Sequence, residues 1–169
     1  MERLRILISI PIILLLLFVT PGPSQAVTDK KTLIVKAKIE KTLKLIVDTN
    51  LITFPHKDPD ETTEIPALQN DVKVVVKART ESTSPVTLDL IADGDLFSGS
   101  DRIPVQNVIW QASGAGFLGG TLSKSSVQTA GSWKGSGIRE GVFRYYLRNS
   151  WNYSEGDYQV TITYTLITP

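Results

Sequence analysis

The chain has 169 residues, 41% of them hydrophobic, with 18 basic and 17 acidic side chains, one histidine and no cysteine. That length supports one domain with a sizeable core rather than two. Near-neutral charge argues against a protein whose main task is gripping nucleic acid. The missing cysteines exclude a disulfide framework, a thiolate nucleophile and a cysteine metal cage, and a single histidine excludes a multi-histidine site.

Arg3 and Arg5 precede an apolar run from Ile6 to Val19, which Thr20-Pro21-Gly22-Pro23 breaks before Ser24-Gln25-Ala26. A positive start, an apolar stretch of 14 residues and a small-x-small ending predict a secretory signal peptide over 1–26. The run is shorter than the roughly 20 residues a bilayer asks for, and Pro11 lies inside it. Cleavage after Ala26 would leave 143 of the 169 residues, one domain over 27–169 with its N-terminus at Val27. No second spanning run follows, so the expected location is secreted, periplasmic or at the cell surface. Glu2, Arg3 and Arg5 leave with the signal, and 16 basic and 16 acidic residues remain. Six lysines against Asp29 and Glu40 give residues 27–44 a balance of +4, whereas residues 45–71 carry −5, six carboxylates against Lys57.

The remaining chain alternates with a period of two. Leu33, Val35, Ala37 and Ile39 share one face of Lys31–Ile39, and Leu43, Leu45 and Val47 continue it. Pro55–Pro66 reads as a long acidic loop. Val72, Val74, Val76 and Ala78 oppose Lys73, Lys77 and Arg79 within Asp71–Thr80; Val86, Leu88, Leu90 and Ala92 oppose Thr87 and Asp89. Asp93-Gly94-Asp95 and Ser98-Gly99-Ser100 read as turns, and Val108, Trp110 and Ala112 mark another strand. Gly114–Gly120 and Gly131–Gly137 read as connectors, Gly141–Leu147 as a strand. Tyr158, Val160, Ile162, Tyr164 and Leu166 face inward in the last run, with Gln159, Thr161, Thr163 and Thr165 outward. Alternation with β-branched and aromatic residues is the half-buried strand signature, and no segment sustains a 3.6 period. The expected fold is all-β, an antiparallel immunoglobulin-like sandwich of about 7–9 strands.

Candidate chemistry is sparse. Gly114-Ala115-Gly116-Phe117-Leu118-Gly119 matches G-x-G-x-x-G, but the Ser/Thr/Gln stretch after it offers no helix to meet a pyrophosphate. His56 sits between prolines, in Phe54-Pro55-His56-Lys57-Asp58-Pro59, and reads as an exposed loop residue rather than a catalytic base. Asp58/Asp60 and Asp93/Asp95 are the carboxylate pairs a hydrolase could use, in turns where Asp is also favoured for its own hydrogen bonding. No catalytic residue and no cofactor is assigned on this reading. Asp93, Asp95 and Asp101, spaced around glycines, form the candidate calcium site, since calcium takes hard oxygen ligands. Trp133, Trp151 and Tyr153 are the candidate ligand-binding aromatics, a platform for the apolar face of a sugar; Trp110 reads as core.

An alternating opening strand (Thr32–Val47), Gly/Ser/Thr-rich middle loops and a closing Gly156-Asp157-Tyr158…Thr163-Tyr164-Thr165-Leu166 follow the signal. This pattern resembles exported bacterial β-sandwich proteins: fimbrial subunits, spore-coat-U-like domains and cell-wall domains named for a Trp-x-Leu motif. The chain departs from them in having no disulfide and, in place of Trp-x-Leu, only Tyr164-Thr165-Leu166. The resemblance implies a non-catalytic exported or surface β-sandwich with a structural or adhesive role, and protein partners or self-association at the cell surface. A carbohydrate-binding module is the alternative, and a carboxylate-dependent hydrolase the second alternative.

Overall fold

In the computed structural model, residues 28–169 are described; the expected signal peptide over 1–26 lies outside them. Eleven strands form among the described residues, the longer ones where the sequence alternates, with one 3-10 turn and no α-helix. They are β1 (Thr42–Val47), β2 (Glu64–Pro66), β3 (Val72–Arg79), β4 (Pro85–Ala92), β5 (Leu96–Ser98), β6 (Asp101–Ile103), β7 (Val108–Ser113), β8 (Gly120–Thr121), β9 (Gln128–Lys134), β10 (Gly137–Arg148) and β11 (Ile162–Ile167). No helix among the described residues is long and apolar enough to cross a membrane.

All pairing is antiparallel. One sheet runs β1-β3-β10-β7-β8, with β2 also on β10, and a second runs β11-β4-β9; β5 and β6 form a separate hairpin. The two sheets pack face to face as a β-sandwich. Val72, Val74, Val76, Phe143 and Tyr145 from the larger sheet meet Val86, Leu88 and Leu90 from the smaller one, all 1% exposed or less. The Phe143 and Tyr164 rings stack across the interface with centroids 6.4 Å apart. The Tyr145 and Tyr164 hydroxyls bond to each other there, which satisfies polar atoms that burial would otherwise penalise.

Strand β10, 12 residues long, runs the length of the sandwich and sets its two ends. At its start, Gly137 lies beside Ala78, and Arg79 lies opposite Thr42 at the start of β1. At its other end, Arg148 lies opposite Glu64. Glycine lets the layers close. Gly116, at φ +81°, lies against the Trp133 indole, and Gly141 lies under the Phe117 ring, so that a Cβ at either would overlap the aromatic.

The structure corrects the boundaries of several expected elements. Lys31–Ile39 is not a strand; Leu33, Val35 and Ile39 are 85%, 83% and 72% exposed. The register gives the reason. Thr42 pairs with Arg79, the last residue of β3, so the ladder offers no partner upstream of β1. The strands all belong to one compact unit, Lys38–Pro169. Pro55–Pro66 is not wholly a loop, since its last three residues form β2 on the end of β10. The Gly131–Gly137 connector is partly strand β9. Strand β11 begins at Ile162, whereas Tyr158 and Val160 pack on the core outside it, where Gln159 bridges to Phe97.

Candidate functional site

The candidate metal residues are already engaged within the fold. Asp93 Oδ1 accepts from the Thr161 amide at 3.0 Å. Asp95 accepts from the Val105 amide at 3.0 Å and from the Lys124 ammonium. The Lys124 bond, then the Val105 amide, hold the Asp95 carboxyl below its usual range. Asp101 sits opposite Ser98 in the β5–β6 hairpin. Among the described residues, no three His, Cys, Asp or Glu side chains stand where they could share a metal ion. Two of the three candidate calcium carboxylates thus serve the protein's own donors.

The carboxylate pairs are spent in the same way. Asp58 Oδ1 accepts from the Asp60 amide at 2.9 Å, and Asp60 Oδ1 accepts from the Trp151 indole at 3.0 Å. A glycosidase acid needs a raised pKa, whereas Asp95 is shifted in the opposite direction. His56 is exposed in its loop. A shallow depression of about 240 Å³ on the outer face of the large sheet lies between Lys73 and Glu140, floored by Gly114 and Gly141. It brings one amine and one carboxylate together, with the Ser113 hydroxyl and no histidine.

The aromatic platform is dispersed. Trp110 is core, 2% exposed, with its indole donating to the Leu118 carbonyl at 2.8 Å. Trp133 is half-buried against Phe117, ring centroids 4.8 Å apart, and donates to the Ala115 carbonyl. Tyr153 is half-buried and its hydroxyl donates to the Arg148 carbonyl at 2.9 Å. Trp151 alone stands out, 68% exposed. Phe117 anchors Trp133 beside Gly141, and Trp151 follows Arg148. Seven strand residues separate those two levels, about 24 Å at 3.4 Å each.

The least satisfied surface is a pair of strand edges. On one side of the sandwich, the loop before β8 closes the gap to β9: Leu118 donates to Ala130 and Ser132 to Gly116, both at 2.9 Å. On the other side, β1 is bonded only to β3 and β11 only to β4. Among the described residues, no backbone hydrogen bond leaves the outer edge of either strand. Leu45, Val47, Ile162, Tyr164 and Leu166 face the core along this seam yet remain half-buried. Only side-chain contacts close its end, Lys41 to the Pro169 carbonyl and Thr80 to Thr168. Sequence reasoning placed these side chains inward but missed the open seam, because alternation shows which face is apolar and not which edge is paired.

No protein-family model matches the chain, and no curated protein matches it in sequence.

Proposed function

We infer that the protein is a non-catalytic structural β-sandwich, exported to the cell surface, whose copies join by strand addition. The observation that carries this reading is the segment Lys31–Ile39. It has the alternation of a strand, but its apolar face is exposed and no ladder in its own fold serves it. The outer edges of β1 and β11 offer unpaired backbone groups beside half-buried apolar side chains. A strand laid on such an edge gains affinity from main-chain hydrogen bonds and specificity from alternate side chains. The occupant is residues 31–39 of a second copy. Lys36 and Lys38 on the polar face of that segment would stay in water, and lysines of this kind discourage indiscriminate edge pairing.

Deletion of residues 28–39 tests the reading. The truncated chain is expected to keep its β-sheet circular dichroism and, in salt that screens its surface charges, to sediment as a monomer where the longer chain forms oligomers. Addition of a peptide spanning 28–40 should then give saturable binding to the truncated chain. Equal oligomerisation with and without the segment would overturn strand addition. Loss of the fold on truncation would also overturn it, by showing that the segment belongs to its own core.

A further inference from the structure

The register sorts the charged side chains by sign to opposite ends of the sandwich. At the Gly137 end, Lys44 pairs directly with Lys77, and Arg79 lies opposite Thr42. Lys134, opposite Pro85, and Arg139, just inside β10, complete five cations; Lys41, beside them, is held by the Pro169 carbonyl. Against these five, among the described residues, stand Glu81 in the β3–β4 turn, Glu140 on β10 and Glu40 ahead of β1, the last already paired with Lys38. Like charges directly across a ladder, as in Lys44–Lys77, destabilise the isolated sheet.

The Arg148 end is the reverse. Asn149 pins the loop bearing Asp58, Asp60 and Glu61 by donating to the Lys57 and Thr62 carbonyls at 2.9 and 3.0 Å. Glu64 follows on β2, while Asp93, Asp95 and Asp101 lie beyond β4, where Asp93 donates its amide to Thr161. Glu155 and Asp157, between β10 and β11, bring the count to nine carboxylates against four cations, Lys57, Arg102, Lys124 and Arg148. Among the described residues, none of the five cations is in an ion pair, and of the nine carboxylates only Asp95 is. The two ends are separated by the length of β10, about 37 Å for eleven steps of 3.4 Å.

A molecule with one cationic and one anionic end is complementary to itself in translation. We propose that the sandwich stacks head to tail on further copies, the Lys44/Lys77/Arg79 end of one against the Asp58–Glu64 end of the next. The contact is heterologous, so it propagates into a filament unless a rotation closes it into a ring. It uses no residue of 31–39 and stands independently of strand addition. Opposite ends would steer encounter and fix polarity, and the effect must weaken as the Debye length falls from about 30 Å at 0.01 M salt to about 8 Å at 0.15 M.

The test uses the chain without its first 26 residues and two charge-reversed variants, each checked for folding by circular dichroism. One carries Lys44→Glu, Lys77→Glu and Arg79→Glu; the other carries Glu61→Lys, Glu64→Lys and Asp157→Lys. All six side chains are exposed, and among the described residues none makes a hydrogen bond or ion pair. Sedimentation of the unaltered chain is expected to show self-association at about 0.01 M salt that weakens at least tenfold by 0.15 M. Each variant alone should lose the low-salt gain in association and keep only what strand addition gives, and their equimolar mixture should regain it, because one has two anionic ends and the other two cationic ends. A monomer at every salt concentration overturns the proposal. So does a mixture that fails to associate, or an association indifferent to salt; the last would leave strand addition standing as the only contact.

Discussion

Leu88 and Leu166 provide a matched pair for testing how open the seam is. They lie directly opposite each other in the β4–β11 register and face the same core. Leu88, on the middle strand, is 0% exposed, whereas Leu166, on the edge strand, is half-buried. Leu→Ala removes three carbons, about 2.4 kcal/mol of transfer free energy at about 0.8 per carbon. At Leu88 the neighbours close on every side, so a cavity term adds to the transfer term and the expected loss is about 3–5 kcal/mol. At Leu166 half of that surface is already wet and little cavity can form, which leaves about 1 kcal/mol. Urea unfolding of dilute protein, with the m-value unchanged, would measure both. Equal losses at the two positions would refute the reasoning, since β11 would then be covered. The cost of Leu166→Ala should also rise at concentrations where copies assemble, and that rise should vanish when residues 28–39 are deleted.

Two further outcomes follow from titratable groups inside the fold. Lys124 and the Val105 amide lower the Asp95 pKa, so this carboxylate stabilises the fold above its unfolded value of about 3.9. That contribution is lost as pH falls through the lower folded value, so Asp95→Asn should destabilise the chain at neutral pH and cease to do so in acid; a difference that ignores pH would refute the assignment. Burial raises the phenol pKa of both Tyr145 and Tyr164, and for Tyr145 the Tyr164 hydroxyl beside it adds to the rise. Unfolded tyrosine ionises near pH 10 and the native pair does not, so stability should fall above about pH 10. Tyr164→Phe alone leaves the buried Tyr145 hydroxyl without its partner and should cost about 1–3 kcal/mol. The double change to Phe should be nearly neutral and flatten the alkaline loss, as followed by phenolate absorbance during pH-dependent unfolding.

Strands β3, β4, β7 and β10 were legible because each buries one face and wets the other, and alternation records that difference directly. β9 was not legible. Its Gln128–Lys134 run contains Gly131, which read as the start of a connector, yet Gly131 is small because the Trp133 ring lies over it. The choice of residue there answers a neighbour's size, which no local pattern displays. β2, β5, β6 and β8 span two or three residues each, too few for a period to show. The seam was legible only in its inward side chains, and the charged ends only in part. The −5 segment supplies Asp58, Asp60, Glu61 and Glu64 of one end, but the +4 segment supplies only Lys44 of the five cations at the other, and both ends depend on Thr42 meeting Arg79 and Glu64 meeting Arg148. Those pairings join residues 37 and 84 positions apart.

Lys31–Ile39 marks the limit of pattern reading most sharply. Its alternation is as regular as that of β3, yet one becomes a central strand and the other does not. The difference lies outside both segments. β3 lies between β1 and β10 and bonds on both edges, whereas β3 ends at Arg79 and so cannot extend its ladder with β1 past Thr42. Side-chain alternation specifies which face a strand would bury; the availability of an edge decides whether it forms at all. The backbone donors and acceptors of nine such residues then bond to water, and their apolar face stays exposed. An edge presented by another copy would meet both requirements at once, and this chain presents two, along β1 and β11. The charged ends add a preference of direction that an edge alone sets only weakly, because parallel pairing is just slightly less stable per residue than antiparallel, whereas the two orientations present opposite poles.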